Sequence, residues 1–192
     1  MEDRMVRKKE IIENSYKLMH LYGYHGTSVK KITDAAGIPK GSFYNYFDNK
    51  EDYAKHVIEY FKSKSEVFYM FDDDALTSYD KIVTFFQNQV NYFKKKEFKY
   101  GCFVGNMTQE MADVSPVLAD AAENFHNFVA SKIENCLVEG QENGELNINL
   151  EESKLSNFLI NSWQGALLRM KSQKDAIVLD EYLEVLKVLL KE

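Results

Sequence analysis

The stretch Thr27 to Lys50, TSVKKITDAAGIPKGSFYNYFDNK, constrains this chain more than any other, because it reads as two short helices joined by a glycine turn. Thr27 or Ser28 can cap the first helix with a hydroxyl. Val29, Ile32 and Ala36 follow at helical spacing, and Gly37 can end the helix in the left-handed geometry that glycine tolerates. Pro39 suits the start of a second helix, about Lys40 to Tyr46, because its missing N–H is no loss in a first turn. Phe43 and Phe47 would turn inward. An apolar set of Ile32, Ala36, Ile38, Phe43 and Tyr46 around Gly37 is what two helices crossing steeply over a tight turn require.

The residues left on the outside fit a helix that lies in the major groove of DNA. Such a helix needs small or polar side chains near its N-terminus and phosphate donors on its flanks. Gly41 and Ser42 supply the first, and Thr27, Ser28, Tyr44, Tyr46 and Lys50 the second, with Lys40 and Asn45 on the same outer side. Lys50 also opens the next helix, where free amides and the helix dipole favour a phosphate. The competing reading is an ordinary helical hairpin with packed tyrosines and solvated lysines.

A net charge of −6 argues against a DNA partner until it is divided along the chain. Residues 1 to 50 hold nine Lys or Arg against six Asp or Glu, a balance of +3, which leaves −9 for the remainder. Positive charge gathers where phosphates would be met, and an acidic body discourages nonspecific wrapping. Arg4, Arg7, Lys8 and Lys9 form either a phosphate-contacting arm or a solvated helix start.

At these residues the sequence resembles the TetR family of bacterial transcriptional regulators, of the AcrR-like kind. The resemblance is carried by Ile11 and Ile12, Gly23-Tyr24 before Thr27-Ser28-Val29, the Ala35-Ala36-Gly37 turn, Lys40 to Phe47, and Asn49-Lys50-Glu51. It covers roughly the first 55 residues. Two positions depart from the family pattern: Asn14 in place of a common alanine, expected to loosen the first helix, and Tyr46 in place of a frequent histidine. The resemblance implies an all-α fold of about nine helices. A three-helix DNA-binding domain (1–50) would precede a helical effector-binding and dimerisation domain (51–192).

Beyond residue 50 the pattern stays helical. Expected segments are 50–71, 78–96, a short helix after Gly101, a long one from Ser115-Pro116 to Gly140 or Gly144, then 151–174 and 175–191. The last two carry apolar stripes that include Leu155, Leu159, Ala166, Leu179, Leu183 and Leu186. These stripes can be buried internally or paired with the same two helices of a second subunit, and Gly165 would admit a close neighbour. The resemblance favours pairing in a twofold dimer, which presents two recognition helices to a near-palindromic operator in double-stranded DNA.

The middle of the chain is rich in aromatic and methionine residues. Phe86, Phe93, Phe103, Met107, Phe125 and Trp163 are candidates for an adaptable apolar pocket, and the resemblance implies a small-molecule effector that acts by differential binding. For each of these residues singly, core packing is the better explanation. Cys102, in KYGCFVGN and near Lys94 to Lys96 and Lys99, is a candidate reactive thiol, and the segment resembles one in electrophile- or oxidant-responsive members of the family. An inert buried cysteine is the alternative there and at Cys136.

No zinc-like set or cofactor motif is present. The four histidines form no HExxH, no serine lies in GxSxG, and Gly101 to Gly105 lacks the rest of a phosphate loop. These absences argue against an enzyme. A charged start and the lack of a long apolar run imply a cytoplasmic protein that spans no membrane. The remaining rivals are a helical binding protein whose head does not read DNA and a thiol-based sensor acting through Cys102.

Overall fold

Helical periodicity dominates the backbone, and the computed structural model, which describes residues 2–64 and 66–191, contains no strand among them. The α-helices are α1 (Glu2–Gly26), α2 (Val29–Ala36), α3 (Lys50–Lys64), α4 (Ser78–Lys95), α5 (Phe103–Met111), α6 (Pro116–Glu142), α7 (Glu152–Gln173) and α8 (Ile177–Leu189). Two 3-10 helices, Lys40–Asn45 and Glu66–Asp72, interrupt the series.

Two compact units share the chain, and both are discontinuous in sequence. The first joins Met1–Lys64 to Phe103–Phe125, and the second joins Ser65–Cys102 to His126–Glu192. The boundary expected at residue 50 therefore falls inside the first unit, which also takes in α3, α5 and the start of α6.

In the first unit, Ile11, Ile12, Ser15 and Met19 bury one face of α1 against Ile32 of α2, Phe43, Phe47, and Tyr53, Ala54, Val57 and Ile58 of α3. The rings of Phe43, Phe47 and Tyr53 pack in tilted and edge-to-face pairs with centroids 5.1 to 5.9 Å apart. Ser15 Oγ lies 2.7 Å from Tyr53 Oη and donates to the Ile11 carbonyl. Burial pushes the Tyr53 phenol well above its usual range. Asn14 is exposed, so it does not loosen the packing of α1.

The helix expected over 50–71 ends at Lys64, and 66–72 winds as a 3-10 helix instead. Its three-residue repeat brings Phe68 and Phe71 to one side. Both are buried, 6.0 and 5.0 Å from the Phe85 ring.

The second unit closes on α4, the later part of α6, α7 and α8. Thr77 caps α4, accepting from the Asp80 amide (3.0 Å) and donating to its carboxylate (2.8 Å). Phe86, Trp163 and Tyr182 form a closed aromatic cluster with centroids 4.9 to 5.3 Å apart. Trp163 donates to Gln89 (3.3 Å) and Tyr182 to the Leu159 carbonyl (2.9 Å).

All six residues chosen for an effector pocket are buried. Phe86, Phe93 and Trp163 lie in the second unit, whereas Phe103, Met107 and Phe125 lie in the first. In the first unit the Phe61 ring fills the space between Phe103 and Phe125, at 5.5 and 6.0 Å. All six are part of the packed core of their units, and Phe125 also borders a cavity of about 420 Å³ in the first unit, together with Lys55, Ile58, Lys62 and Val117.

The stripe on α7 and α8 is displaced from the positions expected of an intersubunit contact. Leu155, Leu159, Ala166, Leu179, Leu183 and Leu186 are buried within the chain itself, because α7 and α8 close their own unit. Exposed apolar residues on these helices are Phe158, Leu168, Ile177, Val185 and Val188. Gly165 has no atom within 4 Å of where a Cβ would stand. The tight approach expected there occurs at Gly140, which lies against Leu146 and Ser78.

Candidate nucleic-acid interface

Both turns of the DNA-reading stretch follow from local chemistry. Ser28 caps α2, accepting from the Lys31 amide at 3.2 Å. Gly37 ends the helix at φ 65°, ψ 35°, and the Ile38 amide bonds back to the Thr33 carbonyl (3.0 Å), the Schellman arrangement. Thr27 is the exception among the proposed contacts: it is buried, and its hydroxyl donates to the Gly23 carbonyl at 2.8 Å. Its role is to fasten the joint between α1 and α2.

The segment expected as a second helix, Lys40 to Tyr46, is a 3-10 helix over Lys40–Asn45. The Ser42 amide bonds to the Pro39 carbonyl (2.9 Å) and the Tyr46 amide to that of Phe43 (3.0 Å). Phe43 anchors the segment in the core. Around it, Lys40, Gly41, Tyr44 and Asn45 are exposed, and Ser42 and Tyr46 are half-buried. Ile38 and Ala36 are also half-buried, so the inward set is narrower than its spacing suggested and rests on Ile32, Phe43 and Phe47.

Gly41 is informative because nothing stands within 4 Å of an added Cβ. Packing inside the chain therefore does not require a glycine there. Its lack of a side chain leaves the backbone open to a body approaching from outside, as close approach to base edges demands.

Electrostatics refine the choice of phosphate contacts. Lys50 Nζ donates to the Tyr24 carbonyl at 3.0 Å and lies 4.0 Å above the Tyr24 ring, and partial burial lowers its pKa. It is thus an internal tie as well as a cation near the interface. The N-terminus of α3 is already served: the Asn49 side chain accepts from the Asp52 amide (2.8 Å), and Glu51 and Asp52 occupy the first turn. Those groups take up the positive end of the helix that was expected to hold a phosphate.

The basic start of α1 is likewise engaged. Arg4 Nε donates to the Asn45 carbonyl (2.9 Å), linking α1 to the end of the reading segment. Arg7 pairs with Glu10 (2.6 Å), and Lys8 Nζ lies 2.9 Å from His56 Nε2 and over the Phe47 ring. Sequence reasoning missed the Arg4 link, because 41 residues separate its partners and no periodicity reports such a distance.

Cys102 is half-buried and Cys136 buried, and neither is in a disulfide. Two of the four lysines near Cys102 are in ion pairs of their own, Lys99 with Glu97 (2.5 Å) and Lys94 with Asp180 (2.9 Å). Burial pushes the Cys136 thiol up to about 11. Among the described residues no group of histidine, cysteine and carboxylate side chains could hold a metal ion, and no helix is long and apolar enough to cross a membrane.

Comparison with known proteins agrees with this geometry. Residues 11–57 match the family described as bacterial regulatory proteins, tetR family, and residues 78–186 match the tetracyclin repressor-like C-terminal domain. The HTH-type transcriptional repressor DhaR of Mycobacterium sp. strain GP1 is 31% identical over 93% of this chain and 89% of its own length. The transcriptional regulator AcuR of Cereibacter sphaeroides is 31% identical over 78% of this chain and 69% of its own. Among solved structures, a regulatory protein TetR from Rhodobacter sphaeroides superposes with a TM-score of 0.82 at 27% identity, covering 94% of this chain and 97% of that one. The reduced form of Escherichia coli NemR, at 22% identity and a TM-score of 0.86 over 96% of each chain, shares the fold. The chain belongs to the TetR family and is a ligand-responsive, DNA-binding transcriptional regulator.

Proposed function

We propose that the protein is a repressor that binds a near-palindromic operator as a homodimer and leaves it when a small molecule binds. One observation carries the DNA half of this reading: Gly41 sits in open space on a segment whose Phe43 is fully buried, with Lys40, Tyr44 and Asn45 exposed beside it. The segment is anchored firmly, and its outer side is small and polar. In this reading Gly41, Ser42 and Asn45 face bases, while Lys40, Tyr44, Tyr46, Ser28 and Lys50 serve phosphates. The protein acts where its operator is, in the cytoplasm.

The dimer rests on Phe158, Leu168, Val185 and Val188, an exposed apolar set on α7 and α8, with Gly165 open between them. A twofold dimer reads a near-palindromic operator whose half-sites lie about one helical turn apart, roughly 34–36 Å. The effector would bind in the aromatic-rich region beyond the head and prefer a conformation in which that spacing is lost.

Selection from random duplex DNA tests the reading. The expected product is an inverted repeat whose affinity falls steeply with salt. No binding even at low salt would reject it and leave the helical binding protein as the better account.

A further inference from the structure

α1 kinks at Gly23, three residues before its end, and this kink, which forms the joint leading into α2, is held by a residue outside the first three helices. Gly23 takes φ 70°, ψ −179°, a conformation open in practice only to glycine. A Cβ there would collide with the carboxylate of Glu110, on α5. Glu110 Oε2 accepts from the backbone amides of Tyr24 (2.9 Å) and His25 (3.3 Å). The Tyr24 carbonyl in turn accepts from Lys50 at the start of α3, and Thr27 closes the same turn on the Gly23 carbonyl.

A second tie runs parallel to the first. Ser115 caps α6, accepting from the Leu118 amide (3.1 Å), and its hydroxyl donates to Glu51, next to Lys50. α5 and the start of α6 thus grip the entry to α2 and the entry to α3 through single side chains. Glu110 lies within the match to the C-terminal family model, yet its hydrogen bonds are made in the DNA-binding head.

Resting on the DNA-binding reading above, we propose that Glu110 is a positioning residue for operator recognition, fixing the angle at which α2 leaves α1 without touching DNA. A glycine joint has many accessible conformations. Two charge-assisted bonds from one carboxylate select one of them. Without that selection only a fraction of molecules presents the reading segment correctly, and apparent operator affinity falls by that fraction. Backbone phosphate contacts demand less of the angle.

The test uses the full chain and a duplex recovered by selection on the wild-type protein. Glu110→Ala is expected to weaken binding to that duplex about tenfold, while binding to random-sequence duplex at low salt is kept and unfolding stays cooperative with only a small fall in midpoint. Glu110→Gln keeps an acceptor oxygen at the same reach and should restore most of the loss. Amide exchange at Tyr24 and His25 should quicken in the alanine variant. Equal losses on selected and random duplex, full affinity in Glu110→Ala, or unchanged exchange would overturn the proposal. If Glu110→Ala does not fold, Glu110→Asp, which withdraws the oxygen by one methylene, is read by the same criteria. Failure of the wild type to select any duplex would instead overturn the DNA-binding reading.

Discussion

Phe43 and Tyr44 are neighbours in the chain but differ in environment, the first 0% exposed and the second 57%. Their rings meet edge to face, 5.3 Å between centroids. The pair separates two tasks: Phe43 locks the segment to Phe47 and Tyr53, and Tyr44 is left for a partner.

Substitutions at these positions should therefore split stability from binding. Phe43→Ala opens a cavity in the first unit and should cost about 3–5 kcal/mol. Tyr44→Ala should change stability by less than about 0.5 kcal/mol yet weaken binding on every DNA sequence, as loss of a phosphate contact does. Urea unfolding and a titration on duplex DNA decide. Equal stability losses would refute the division.

At Gly41 the same logic predicts a variant that folds normally and binds poorly. Gly41→Ala meets open space and reduces the freedom of the unfolded chain, so its unfolding midpoint should match or slightly exceed the wild type. Operator binding should weaken about tenfold, since a methyl would stand between backbone and base edges. Unchanged affinity would show that the segment does not approach DNA closely.

Lys50 has a mixed role and should show it. Lys50→Ala removes a hydrogen bond and a cation–π contact to Tyr24. Because the ammonium is largely solvated, the expected stability loss is only about 1 kcal/mol. Binding to selected and random duplexes should fall together, with a shallower salt dependence. A full loss of salt dependence would point to a larger structural effect than the two contacts allow.

Alkaline pH should unfold the protein through Cys136, Tyr53 and Tyr182. Burial raises all three, the thiol to about 11 and the phenols further. Each keeps its proton in the folded state above the pH at which the unfolded chain releases it. Stability is therefore full below the unfolded values, about 9 for the thiol and 10 for the phenols, and falls as pH rises beyond them. Denaturation curves from pH 8 to 11 check this, and Tyr182→Phe should flatten the decline. At pH 8 a thiol reagent should label Cys102 before Cys136; equal rates would contradict the difference in burial.

Charge placed on the exposed apolar set should separate the subunits without unfolding them. Phe158→Glu or Val185→Glu alters residues 55% and 57% exposed, so the unit's own core is untouched. Sedimentation should show a monomer with a normal helical spectrum. Leu159→Glu, in contrast, buries a charge in the protomer and should prevent folding.

Much of this protein is determined locally. The hydroxyl cap at Ser28, the left-handed stop at Gly37, the cap at Thr77 and the proline that opens α6 act within four residues, and each is legible in sequence order. Periodicity marked most of the α-helices and the burial of Phe43 and Phe47, but not the 3-10 winding of 40–45 and 66–72. It could not tell which side of α7 and α8 meets the rest of the chain, because both sides are rich in apolar residues. Tertiary packing alone placed Leu155, Leu159 and Leu183 inside and left Phe158 and Val185 outside. It also buried Thr27, tied Lys50 to Tyr24, and brought Glu110 to the amide of Tyr24 across 86 residues. Those outcomes depend on which elements meet in space, and a hydrogen bond between distant residues leaves no trace in the spacing around either partner.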